Sequence, residues 1–183
     1  MLASFLVLLA GCANAPTVPP ITKENDLIEG DAFQLHYPKD WKISSEEETN
    51  QSDQNITTYH FRHPQCRECD IDIEVISLLK NDRSLTQNIK EIATAKIRNL
   101  KNRFEHSGYR NFVFETTQGD FANRDATKCT VKGQKFSSTR RAVAYIVVNK
   151  KKYYTVSYQW FDGWNDAVKD RLKEIASSFK FVQ

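Results

Sequence analysis

Residues His60-Phe61-Arg62-His63-Pro64-Gln65-Cys66-Arg67-Glu68-Cys69 place four metal-ligating side chains in one short stretch, with the spacing H-x2-H-x2-C-x2-C. Imidazole and thiolate suit Zn²⁺, and thiolates also suit Cu⁺. Two sulfurs three residues apart converge around a turn, so Cys66 and Cys69 form a usual half-site. The His half fits less well. If His60 lies in a strand, His63 falls toward the opposite face. Zinc sites also tend to separate their two ligand pairs by roughly a dozen residues. The competing chemistry is oxidation. Cys66 with Cys69, or either one with Cys129, forms a disulfide in an oxidising compartment. A thioredoxin-like role would need the first Cys at a helix N-terminus, where its pKa falls. Here the pair lies between two expected strands. The balance favours a disulfide, with a His60, His63, Cys66 and Cys69 site for Zn or Cu as the alternative.

Other reactive residue types read as structure. Asp70, Asp72 and Glu74 alternate with Ile71, Ile73 and Val75, as in a strand with one wet face. The run 150–152 and the pair Arg140-Arg141 read as solvated turns. Trp160, Phe161 and Trp164 read as core at a strand-to-helix junction. There is no Gly-rich phosphate loop and no ordering of Ser, His and Asp that singles out a triad. The expectation is a protein that is not an enzyme and holds no cofactor. Lys and Arg total 26 against 23 Asp and Glu, a net charge of +3. That balance demands neither nucleic acid nor an anionic membrane as partner.

The elements that must position these residues follow from periodicity. Phe33, Leu35 and Tyr37 alternate with polar residues, and Trp41-Lys42-Ile43 alternates again after a turn. Residues 46–55 are polar and acidic and read as a mobile loop. Residues 56–61 and 70–75 are strands. Then Leu85, Ile89, Ile92, Ala93, Ile97, Leu100 and Phe104 recur at three and four, the stripe of a long amphipathic helix. Ser84 with Gln87 makes a capping-box pattern at its start, and Gly108 suits its end. Strands are expected over 109–117, 122–132, 142–148 and 153–161, the last two joined as a hairpin. Tyr154, Val156, Tyr158 and Trp160 share a face. A final helix carries Val168, Leu172, Ile175, Ala176 and Phe179.

The N-terminus supplies an address. Phe5-Leu6-Val7-Leu8-Leu9 leads into Ala10-Gly11-Cys12, which resembles the lipobox of bacterial lipoproteins. The apolar run is too short to span a bilayer, which takes about 20 residues. The resemblance implies cleavage before Cys12 and acyl chains, palmitate among them, on Cys12. Two or three chains give durable anchoring. With Cys12 consumed, Cys66, Cys69 and Cys129 remain, and one thiol is left over or pairs between chains. No Lys or Arg precedes the run, so the usual basic n-region of such signals is missing from it. Pro16, Pro19 and Pro20 make residues 12–30 a tether. Ala13 after Cys12, where Asp would retain the protein at the inner membrane, favours the outer membrane.

Phe33-Gln34-Leu35-His36-Tyr37-Pro38-Lys39-Asp40-Trp41-Lys42-Ile43 resembles the opening of PsbP-like domains. The closing order matches too: hairpin, aromatic strand, helix, then Ser178-Phe179-Lys180-Phe181. The resemblance spans about residues 31–182 and extends to bacterial lipoproteins of the DcrB type. It implies an α+β fold, a mainly antiparallel twisted sheet with helices packed on both faces. It implies non-enzymatic accessory or docking work and carries over no catalytic residue. The expectation is therefore a signal peptide over 1–11, lipidated Cys12 and tether over 12–30, and a PsbP-like domain over 31–183. That protein would sit in the bacterial envelope, held to the membrane by lipid and facing the periplasm or cell surface. It would bind an envelope protein partner and no nucleic acid.

Overall fold

The computed structural model describes residues 26–30, 32–49, 55–64, 66, 69–77, 85–150, 152–162 and 166–182. Five strands come first: β1 (Asp26–Gly30), β2 (Phe33–Tyr37), β3 (Lys42–Thr49), β4 (Asn55–Arg62) and β5 (Asp70–Ser77). The helix α1 (Leu85–His106) follows, then β6 (Arg110–Phe121), β7 (Arg124–Lys135), β8 (Ser138–Asn149) and β9 (Lys152–Asp162). The helix α2 (Asp166–Ser177) and the short β10 (Lys180–Phe181) close the chain. The expected lipobox, Cys12, most of the tether, Ser84 and Trp164 lie outside the described residues.

The strands form two antiparallel sheets. One has the order β1-β2-β10, the other β3-β4-β5-β9-β8-β7-β6. Tight turns join the long hairpins. Phe121 pairs with Arg124 across Ala122-Asn123, whose φ values of 52° and 60° match the left-handed pair that a twisted two-residue turn requires. Asn149 pairs with Lys152, as the expected hairpin requires. Gly108, with φ of 85°, ends α1, and the Tyr109 amide donates back to the Phe104 carbonyl at 3.0 Å.

The helical stripe buries Ala93, Leu100 and Phe104 and leaves Ile89, Ile92 and Ile97 half-buried. Ala93, Leu100 and Phe104 of α1 pack with Cys129, Val131, Ala144 and Ile146. Tyr154, Val156, Tyr158 and Trp160 belong to a second cluster with Phe33, Leu35, Ile73, Leu172 and Phe179. Trp160 is thus core, as expected.

The expectation of helices packed on both faces of one sheet is overturned. Strands dominate the body, the described residues contain only two helices, and there are two sheets. Phe33 of β2 stacks on Phe179 beside α2 at 5.2 Å, so the small sheet and α2 cover the core together. The reason is that alternation identifies a strand without saying which sheet it joins. Phe33 and Phe181 pair with each other across β2 and β10 instead of extending the main sheet. β1 pairs along β2 and occupies the last five residues of the stretch read as tether. Residues 46–49 are not loop either. They complete β3, which pairs with β4 from Lys42↔Arg62 to Thr49↔Asn55. β3 is exposed along its whole length, so no apolar alternation marked it.

Candidate functional site

The densest chemistry lies where α1 crosses β5. Asp70 and Asp72 are only 2% and 3% exposed, not the wet face expected. Geometry explains why. Lys96 and Arg103 are seven residues apart on α1, a rise of about 10.5 Å. Three residues of strand cover about 10 Å, so the two cations meet the acidic row in register. Lys96 Nζ donates to Glu74 Oε1 at 2.6 Å. Arg103 Nη1 donates to Asp72 Oδ2 at 2.7 Å, and Nη2 to Asp70 Oδ2 at 3.2 Å. Gln159 Nε2 of β9 donates to Asp70 Oδ1 at 2.6 Å, and Arg62 of β4 approaches Asp70 at 3.5 Å.

His60 completes the network from β4. Its Nδ1 lies 2.7 Å from Asp72 Oδ1, and its Nε2 lies 3.0 Å from Glu46 Oε1 on β3. Bridging two carboxylates with both ring nitrogens favours the doubly protonated ring. The Asp72 hydrogen bond raises the His60 pKa most, against burial, and Glu46 adds to it. Burial works to raise Asp72 as well, but the His60 hydrogen bond and the charges of Arg103 and Lys96 overcome it. They hold Asp72 well below the usual carboxylate range. Burial and the neighbouring Asp72 charge push Asp70 up to about 6. Burial opposes the Arg103 charge, yet Asp72 and Asp70 raise its pKa further.

Glu46, His60, Asp72, Glu74, Lys96 and Arg103 line a cleft of about 430 Å³ between α1 and β3–β5. Its chemistry is self-contained. Both nitrogens of His60 are engaged, leaving no ring lone pair to accept a substrate proton. The partners of Asp72 are cations and His60, and Thr58 lines the same cleft. The arrangement ties a helix to four strands, β3, β4, β5 and β9.

The His and Cys cluster is dispersed rather than assembled. Cys66 and Cys69 are joined in a disulfide within the β4–β5 connection, among the pairings left open by the sequence. The Cys66 amide donates to His63 Nδ1 at 3.1 Å, and the His63 ring stands edge-on to Trp41 at 5.4 Å. Burial lowers the His63 pKa. His60 faces Asp72 instead, so the four ligands do not converge, and the two sulfurs are bonded to each other. Among the described residues no group of three or more His, Cys, Asp or Glu is placed to hold a metal ion. Cys129 is a free thiol buried in the α1 cluster, and burial pushes its pKa up.

Arg140 departs from its expected solvated turn. It is buried, with its guanidinium 4.6 Å from the Phe104 ring centroid and 5.4 Å from that of Phe161. Arg141 does reach the surface and pairs with Asp162. Sequence reasoning missed Lys96 and Arg140 as interior cations and Arg103 as a half-buried one. The available signal was their spacing: Lys96 and Arg103 border the same stripe as Leu100 and Phe104.

Comparison with known proteins agrees with this architecture. Residues 28–181 match the PsbP family. No curated protein matches the chain in sequence. The solution structure of cyanobacterial PsbP (CyanoP) from Synechocystis sp. PCC 6803 superposes with a TM-score of 0.63 at 15% identity. That match covers 91% of this chain and 98% of the other. A crystal structure from Bacteroides thetaiotaomicron VPI-5482 gives a TM-score of 0.47 at 12% identity, covering 83% of this chain and 46% of that one.

Proposed function

The chain belongs to the PsbP family, and from that premise we propose that it is a lipid-anchored accessory protein of the bacterial envelope, of the DcrB type, that binds a protein partner. PsbP-like domain proteins are accessory or structural. The observation that carries the reading is the match over residues 28–181, nearly the whole exported domain. The charged cleft supports it, because its acidic and basic groups are engaged with one another. Anchoring rests on Cys12 at the end of its apolar run. Ala13 favours the outer membrane, and the Cys66–Cys69 disulfide suits an oxidising compartment.

Two measurements test this. Palmitate labelling in a bacterial host should tag the wild-type chain and leave Cys12→Ala unlabelled and soluble. In the native host, cross-linked and detergent-solubilised protein should bring down one envelope protein reproducibly, and Cys12→Ala should not. Equal labelling of Cys12→Ala would refute the anchor. A native protein that enters no complex would refute the accessory role.

A further inference from the structure

Two strands end the seven-stranded sheet among the described residues, β3 and β6. A strand edge displays backbone donors and acceptors that invite another strand, so proteins guard edges with charge. β3 is guarded by Glu46, Glu47 and Glu48 in succession. β6 is twelve residues long and carries Phe112, Val113 and Phe114. Val113 is 61% exposed and Phe114 43%.

The surroundings of β6 add shape and sign. Phe112 and Phe114 stack with centroids 6.0 Å apart. A groove of about 530 Å³ runs between α1 and β6–β7, with Ile89, Ala93 and Ile97 on the helix side and Thr116 and Gln118 on β6. Lys90 lines the same groove. Lys101 Nζ lies 5.8 Å from the Phe112 centroid. On β7, Lys128 and Lys132 pair with Thr117 and Val113, one strand away from the free edge. Beyond the Arg110↔Gln134 pair, the β7–β8 turn holds Phe136 fully exposed with φ of 51°. That conformation is uncommon for a bulky residue.

We propose that β6 receives an extended segment of the partner protein as an added strand, with alternate apolar residues entering the groove and the acidic residues between them meeting Lys128 and Lys132 on the opposite face of the sheet. This inference rests on the accessory reading above and names the chemistry of its partner. Main-chain hydrogen bonds supply affinity in this mode, and alternate side chains supply specificity. A second copy of this chain fits less well. Its acidic edge β3 offers only Ile43 as an apolar side chain.

The test uses the full chain and a phage-displayed library of random twelve-residue peptides, with selected sequences remade synthetically. Selected peptides should alternate apolar residues with Asp or Glu, and should slow hydrogen exchange along Phe112–Gly119. Phe114→Glu should weaken their binding at least tenfold. Lys132→Glu, with an unchanged melting temperature, should weaken it severalfold. Failure to select any peptide, or selection of peptides that bind both variants normally or leave β6 exchange unchanged, would overturn the proposal. Dimers abolished by Phe114→Glu would assign the edge to a second copy and also overturn it. A native complex that survives Phe114→Glu would remove this inference and leave the accessory reading standing. Peptide binding at β6 without any native complex would remove only the latter.

Discussion

β5 has two faces that are almost equally buried and chemically opposite. Ile71, Ile73 and Val75 point into a dry cluster with Phe61, Val156 and Leu172. Asp70, Asp72 and Glu74, interleaved with them, lie under Lys96 and Arg103 of α1. The difference teaches that alternating hydropathy reports the pleat and not the solvent. The apolar face is held by area removed from water, about 25 cal/mol per Å². The acidic face is held only while each desolvated carboxylate keeps its cation, because a buried ion pair gains little over an apolar replacement but loses much when halved. The first face should therefore yield gradually to mutation and the second abruptly.

Arg103→Met should have the largest effect. It leaves Asp70 and Asp72 buried with reduced compensation, at a cost of about 4 kcal/mol, readable in urea denaturation at neutral pH. Adding Asp72→Leu should recover part of that loss, since an apolar pair needs no counter-charge. A loss under about 1 kcal/mol for Arg103→Met would mean that water reaches this face after all.

The apolar row was legible because both of its signals are local: period two in β5 and in Tyr154, Val156, Tyr158 and Trp160, period three to four in α1. The acidic row was misread because its burial is not local. It depends on a helix some 20 residues further along the chain landing with Lys96 over Glu74. β3 was legible only at Ile43, since an edge strand exposed on every residue has no hydrophobic pattern to show. The Cys66–Cys69 pairing was among the options, but spacing alone could not choose it over Cys129. Distance across the sheet core decides that, and Cys129 lies in the other cluster. The groove beside β6 was not legible at all, because it arises from how far α1 falls short of the sheet edge.

pH should separate the faces next. Asp70 is raised to about 6 by burial and by Asp72. Its protonated form is thus preferred in the folded state. The stability it contributes is full below the unfolded carboxylate value, about 3.9, and is lost as pH rises through about 6. His60, raised by Asp72, acts in the same direction at higher pH: its contribution is present below about 6.5 and lost as pH rises through its folded value. Asp72 acts oppositely, giving stability above about 3.9 that is lost as pH falls toward its depressed value. The melting temperature should therefore be highest in the mildly acidic range. Asp70→Asn should gain on the wild type as pH goes from about 4.5 to 7.5. A mutant-to-wild-type difference that does not change over that interval would show that Asp70 ionises freely.

Ile73→Val tests the apolar face at its own scale. Removing one methylene from a fully buried side chain should cost about 1 kcal/mol, with no pH dependence between about 4.5 and 7.5. A pH-dependent loss would mean that the two faces are mechanically coupled through the strand.

Glu46→Ala should be the mildest change, and it places the boundary between the buried network and the guarded edge. The Glu46 side chain is 69% exposed, so its contact with His60 is largely screened. Such a pair contributes at most about 0.5 kcal/mol, within the error of most denaturation curves. The sharper readout is the His60 ring itself. The Asp72 hydrogen bond is the first cause of its raised pKa, and Glu46 contributes less. NMR titration should find the His60 pKa lowered a little by Glu46→Ala and lowered further by Asp72→Asn. If the two variants moved it equally, the exposed carboxylate would be holding the proton as firmly as the buried one. The acidic face of β5 would then end at β3 rather than under α1.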